Sequence, residues 1–114
     1  MMIVAHRHYA EDQRAAQLDE QAREACERED WPNAISSCAA AIEELRHVFP
    51  AGSTMLAHEE AKLARLMFNG VVDAEQAKRA DAMLGQAASA LELCYGVDHD
   101  EPKELRHLQA CLRR

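Results

Sequence analysis

Apolar residues recur along this chain with a helical period, and its few prolines and glycines fall between the periodic stretches. From about Tyr9 to Glu29, the residues Ala15, Leu18, Ala22 and Ala25 form one narrow stripe, rich enough in alanine to admit a close neighbour. Trp31-Pro32 ends that helix and opens the next. Proline tolerates the first helical turn and pushes the residue before it out of the helical region, which puts Asp30 or Trp31 at the cap. The second helix, about Pro32 to Val48, has the strongest period: Ile35, Cys38, Ile42, Leu45 and Phe49, flanked by Ala34, Ala41 and Val48. That face is wide enough to need two neighbours, so an isolated hairpin would leave it uncovered.

Phe49-Pro50-Ala51-Gly52 breaks the pattern, and Ser53 or Thr54 is placed to cap a third helix running to Asn69. Its expected buried face is Leu56, Leu63, Leu66, Met67 and Phe68, with Glu59, Glu60, Lys62 and Arg65 left for water. Gly70 supplies the left-handed residue that often ends a helix. Asp73-Ala-Glu-Gln76 has the form of a capping box for a fourth helix that buries Ala77, Ala80, Leu84, Ala87, Leu91 and Cys94 or Tyr95 and stops at Gly96. Within it, Gly85 marks either a close crossing or a tolerated surface glycine. Asp100-Glu-Pro102 then begins a fifth helix carrying Leu105, Leu108, Cys111 and Leu112. The fold class expected is all-α: an irregular segment over residues 1–8, then one helical domain over 9–114.

Composition narrows the function classes. The chain has 114 residues, 48% hydrophobic and 29% charged, with a net charge of −7. An acidic field repels phosphates, and 4% aromatic residues leave little for base stacking, so nucleic acid is an improbable partner. Lys103, Arg106, Arg113 and Arg114 gather near the C-terminus, where cations oppose the negative pole of a helix. Four dispersed cysteines, Cys26, Cys38, Cys94 and Cys111, without a C-x-x-C pair or a leading apolar run, read as reduced thiols in a cytosolic or nuclear protein. No stretch approaches the roughly 20 apolar residues of a membrane span.

Leu18, Ala22, Ala25, Trp31, Ala34 and Ala41, with the turn EDWPNAI, resemble the packing residues and inter-helix turn of a tetratricopeptide repeat. Gln21 and Cys38 stand where that family usually has a larger apolar residue, and Arg46 where proline often ends the repeat. The second hairpin is similar to the longer repeats of kinesin light chains, whose helix closes in a Tyr-Gly-x-Asp-His turn. The order of LAHEEAKLARLMFNG, ALELCYGVDH and an Asp-Glu-Pro-Lys-Glu-Leu helix also resembles the C-terminal helical domain of the SET and MYND family of protein lysine methyltransferases. These resemblances imply a stack of two helical hairpins and a closing helix. The first implies protein or peptide binding on the concave side, lined by the first and third helices. The last implies an accessory domain without the catalytic and zinc-binding modules.

No catalytic constellation stands out, and none is expected here. His58-Glu59-Glu60 lacks the second histidine of a zinc-protease helix, because Lys62 occupies its place. His6 and His8 lack a third ligand, and Asp98, His99, Asp100 and Glu101 read as helix capping rather than metal or proton chemistry. No metal or other cofactor is expected. Candidate partner-binding residues are Arg14, Asp19, Arg23, Lys62 and Arg65. At the places where carboxylate-clamp repeats carry Asn and Lys, this chain has Asp19 and Arg23. Asp19 would repel an acidic tail, leaving Arg14, Arg23 and Arg65 as a weaker acidic-peptide site, while the acidic run on the first helix would steer a basic partner. Self-association through an uncovered end of the stack is a further expectation.

Overall fold

The computed structural model describes the backbone of residues 2–114 and the side chains of residues 13–114. It holds five helices in chain order: α1 (Met2–Glu27), α2 (Trp31–Leu45), α3 (Thr54–Asn69), α4 (Ala74–Tyr95) and α5 (Asp100–Leu112). Among the described residues there is no strand. Each helix packs on the next, and α5 also touches α3. The result is a slab of 52 × 34 × 20 Å, about two helix diameters thick. The first helix begins at Met2, where residues 1–8 were expected to be irregular. No proline or glycine interrupts the chain before Pro32, so nothing there forces a break.

Capping chemistry fixes the helix boundaries. Asp30 caps α2, accepting from the Asn33 backbone N–H at 3.4 Å and from Asn33 Nδ2 at 2.6 Å. Ser53 Oγ accepts from the Leu56 N–H at 3.2 Å, and Asp73 Oδ1 from the Gln76 N–H at 2.8 Å. Gln76 Oε1 reaches past Asp73 to accept from the Val72 N–H at 2.8 Å, so the capping box closes one residue early. α2 ends at Leu45 rather than Val48, its last carbonyls satisfied by a tightened turn in which the His47 N–H donates to Glu44 O at 3.2 Å and the Val48 N–H to Leu45 O at 3.0 Å. Phe49 precedes Pro50, which disfavours helical backbone there. His99 caps α5, its Nδ1 accepting from the Glu101 N–H at 3.3 Å.

Between α1 and α2 the chain turns through Glu29, at φ 56°. The Asp30 N–H donates to Ala25 O at 2.8 Å and the Glu29 N–H to Cys26 O at 2.9 Å, the paired bonds of a Schellman motif. Glycine is the usual residue in that left-handed position. Gly70, expected to be left-handed, has φ −89°. Its requirement is space: a Cβ there would lie 3.0 Å from Trp31 Cβ and 3.2 Å from Ile35 Cδ1. Gly96, at φ 94° and ψ 161°, occupies a region open essentially to glycine alone. Gly85 faces α5, where a Cβ would meet Gln109 Nε2 at 2.8 Å, so it marks a close crossing.

The core is built largely from alanine. Ala15, Ala22, Ala25, Ala34, Ala41, Ala57, Ala61, Ala64, Ala80, Ala87 and Ala88 are all buried. Around Ala57, Ala61 and Ala64 of α3, the leucines Leu84, Leu91 and Leu105 of α4 and α5 close one cluster. Cys38, Ile42, Leu63 and Ala22 form a second between α1, α2 and α3. α3 belongs to both. That is why Glu59, expected at the surface, is buried, and why Glu60 and Arg65 are partly covered. Conversely Tyr95 is exposed while Cys94 packs against the core.

Polar contacts fasten α5. Arg106 grips Glu92 through two contacts, at 3.2 and 3.0 Å, and Arg113 Nε meets Asp81 at 3.1 Å. The basic residues near the C-terminus therefore include two that pin α5 to α4. Buried Gln109 donates to Asp81 O at 3.2 Å and accepts from Arg106 at 3.3 Å. The outer face of α5, with Lys103, Glu104, Arg106 and His107, is exposed and polar, as suits the last helix of a stack.

Two substitutions test this account. Leu91→Ala, at a fully buried position, should lower stability by roughly 2–5 kcal/mol in urea melts. Glu29→Gly should raise it by about 1 kcal/mol, because the left-handed turn is retained without its steric cost.

Candidate functional site

α1 and α3 both pack against α2, and the three helices line a groove of about 680 Å³. Its floor is apolar: Ala16, Ala22 and Cys26 from α1, Cys38 from α2 and Leu66 from α3. These are small residues or half-covered ones, which is how two helices packed on a third leave a trough. The rim is charged, with Asp19, Glu20, Arg23 and Glu27 on one side and Lys62 and Arg65 on the other. Asp19, Arg23, Lys62 and Arg65 are thus brought together on one surface. Arg14 is not: it pairs with Glu44 of α2 at 3.4 Å and lies outside the groove lining.

Every basic group on the rim is already engaged. Arg23 lies between Glu20 and Glu27, its Nε donating to Glu20 Oε2 at 3.1 Å. The hydrogen bond from Arg23 holds the Glu20 carboxyl below the usual carboxylate range, and Glu20, with Glu27, raises the guanidinium in turn. Arg65 Nε donates to Glu104 of α5 at 2.9 Å. Lys62 bridges the groove, 3.5 Å from Asp19 Oδ2 and 3.1 Å from Glu59 Oε2. Burial would lower the Lys62 ammonium, but the Glu59 hydrogen bond and the charges of Glu59 and Asp19 overcome it and hold it above the usual range.

Two acceptors in this cluster remain unsatisfied. Asp19 Oδ1 is buried without a hydrogen-bond partner. Glu59 Oε2 lies close to the ammonium but out of line for a hydrogen bond, and the aligned contact runs through Oε1 at 3.5 Å. Buried acceptors in that state carry a desolvation cost that an added donor relieves. One of the two belongs to Asp19, the residue that the sequence marks as hostile to an acidic ligand.

Beneath the rim, Cys38 is fully buried. Burial pushes its thiol up to about 11, with Asp19 and Glu59 adding to the rise and Lys62 opposing it. It acts as a small hydrophobic residue in the floor. The other cysteines, Cys26, Cys94 and Cys111, are free and partly covered.

Elsewhere, a hollow of about 170 Å³ between Trp31, Pro32, Ile35, Met67 and Gly70 has room for little more than one side chain. At the far end of the slab, His58 Nε2 and the Tyr95 hydroxyl lie 3.0 Å apart, and His58 Nδ1 is 3.2 Å from Glu101. The Tyr95 ring stacks on His99 at 4.6 Å. These contacts tie α3, the Gly96 turn and the start of α5 together. Among the described residues, no group of three His, Cys, Asp or Glu side chains is placed to share a metal ion. No described helix is long and apolar enough to cross a membrane.

Sequence reading missed Glu59, Glu20, Glu27 and the apolar floor. The signal for two of these was present, since Glu20 and Glu27 stand three and four residues from Arg23 on one helix face. The Lys62–Asp19 and Arg65–Glu104 pairs join different helices and left no local trace. Comparison with known proteins adds no label: no family model, no curated protein and no solved structure matches this chain.

Thiol alkylation checks the floor. Near neutral pH, native protein should react at Cys26 well before Cys38, whose thiolate is on the order of a hundredfold scarcer than that of an unburied thiol. Peptide mapping after timed labelling reads the order, which unfolding should abolish.

Proposed function

We propose that this chain is a protein-interaction domain, holding a peptide or an extended segment of a partner protein in the groove between α1 and α3. One observation carries the reading: a trough of about 680 Å³ with an apolar floor and a charged rim, in the size range of ligand sites. The floor can exclude water around apolar side chains, while the rim orients what lies above it. Tetratricopeptide-type domains line their concave side with equivalent helices, and the residues quoted above give this chain that resemblance. No reacting group is part of the proposal.

A second reading keeps the same surface but changes its setting. The resemblance to the C-terminal domain of SET and MYND methyltransferases would make the stack an accessory domain beside a catalytic module. The observation that favours it is the turn at Gly96, which leads from Tyr95 through the His99 cap into a helix laid back on α3 and α4.

Ala16 allows the groove to be blocked without disturbing the core, because it lines the groove yet is exposed on α1. Ala16→Trp should cost less than about 1 kcal/mol of stability. It should weaken peptides selected on the parent protein from a random displayed library by at least about tenfold, as read by fluorescence anisotropy. Selected peptides that bind the variant equally well would place recognition outside the groove.

A further inference from the structure

We infer that the groove takes an uncharged apolar stretch of a partner protein, recognised by burial of its Leu, Ile, Met or Phe side chains and not by its charge. The inference rests on reading the groove as a peptide site and specifies the chemistry of its occupant. Its first support is the charge balance of the lining. Asp19, Glu20 and Glu27 set three carboxylates against the three cations Arg23, Lys62 and Arg65, so the lining is formally neutral. Each cation is also paired: Arg23 with Glu20 and Glu27, Lys62 with Asp19 and Glu59, and Arg65 with Glu104. A charged ligand of either sign meets groups whose charge is already answered, and gives up its hydration for a shared partner. An uncharged side chain gives up nothing of the kind.

The second support is what the trough offers to contact. The acceptors left without a donor, Asp19 Oδ1 and Glu59 Oε2, are buried beneath the surface, where a ligand atom does not reach them. The floor is apolar, with Ala16 exposed, Cys26 and Leu66 half-covered and Ala22 at the bottom. The stems of Arg23, Lys62 and Arg65, whose heads are held by carboxylates, extend that apolar surface up the walls. Ala16 and Cys26 bound the lining along α1, a track of about 15 Å. That is the reach of four or five extended residues or of nearly three helical turns. Alanine at both Ala16 and Ala22 leaves the depth along it that larger apolar side chains fill.

The field of the whole chain is consistent with the same occupant. A net charge of −7 acts at a distance on charged ligands, whereas an uncharged stretch meets the groove without being steered or repelled. The same field disfavours a second copy of this chain, which would bring another seven negative charges.

Selection from a displayed library of random peptides, repeated on the Ala16→Trp and Arg23→Gln variants, tests the proposal. The expected result is enrichment of peptides in which Leu, Ile, Met or Phe cluster in a run free of Asp, Glu, Lys and Arg. Their affinity should fall by at least about tenfold in Ala16→Trp and change by less than about threefold over a tenfold rise in salt. Titration calorimetry should give a negative heat-capacity change. Arg23→Gln removes one charge from a balanced rim. It should bind the same peptides within about threefold, yet a fresh selection on it should enrich Lys and Arg. Circular dichroism melts should show both variants folded, since Ala16 and Arg23 are exposed. Enrichment of charged peptides that Ala16→Trp abolishes would overturn the uncharged occupant and leave the groove as the site, and so would a steep loss of affinity with salt. A selection on Arg23→Gln that stays indifferent to charge would overturn the balanced rim as the cause. If no selected peptide is sensitive to Ala16→Trp, the inference is overturned together with the proposed function. A dimer in sedimentation that Ala16→Trp dissolves would make a second copy the occupant, and would overturn the inference as well.

Discussion

The stack depends on helices that meet through alanine. Ala61 and Ala64 on α3 face a neighbour that presents Ala87 and Ala88, and all four are fully buried. An alanine interface holds little apolar area per residue, so it stabilises only when the backbones come close enough for dispersion contacts to accumulate. Close approach in turn forbids larger side chains at the crossings. Gly70 under Trp31 and Ile35 obeys the same constraint, and Gly85 leaves the space that the Gln109 amide fills. The leucines Leu84, Leu91 and Leu105 fill the spaces between the alanine contacts, and α5 follows from them: it covers an edge of α3 and α4 that would otherwise be open.

The constraint also accounts for the groove. α2 presents a face wide enough for two neighbours, and α1 and α3 both pack on it. The alanines that let α1 lie close to α2 leave nothing long enough to bridge the gap to α3, and the remaining space has an apolar bottom. Charged residues gather on its edges because they are the side chains with reach. Lys62 spans to Asp19, and its stem covers apolar surface while the ammonium sits among carboxylates. The site is a by-product of packing whose chemistry is set by the rim.

Much of the fold was legible because its signals are local. Ser53 and Asp73 cap the helices they were expected to cap, and the apolar period of α2 and α4 reads directly as buried residues. Val48 illustrates where such reasoning overruns: its hydrophobicity continued the pattern, but Pro50 ended the helix sooner. Gly70 had the right residue for a different reason, a neighbour's side chain instead of its own torsion angle. At the groove, Asp19, Arg23, Lys62 and Arg65 could be named because the resemblance to tetratricopeptide repeats points to the inner positions of the first and third helices. Whether they were free could not be named. Lys62 and Asp19 are 43 positions apart in sequence, and their pairing exists only once α1 and α3 have both been packed on α2.

α1 and α3 are joined through α2, and among the described residues one ion pair, Lys62 to Asp19, spans the space between them. The groove therefore works like a pair of jaws on one hinge, with a thin electrostatic latch near its middle. A solvent-accessible latch of this kind contributes little to stability and loosens with ionic strength. The opening is then governed by how firmly α1 sits on α2, so substitutions along that joint would alter the bite of the jaws while leaving every residue that lines them unchanged.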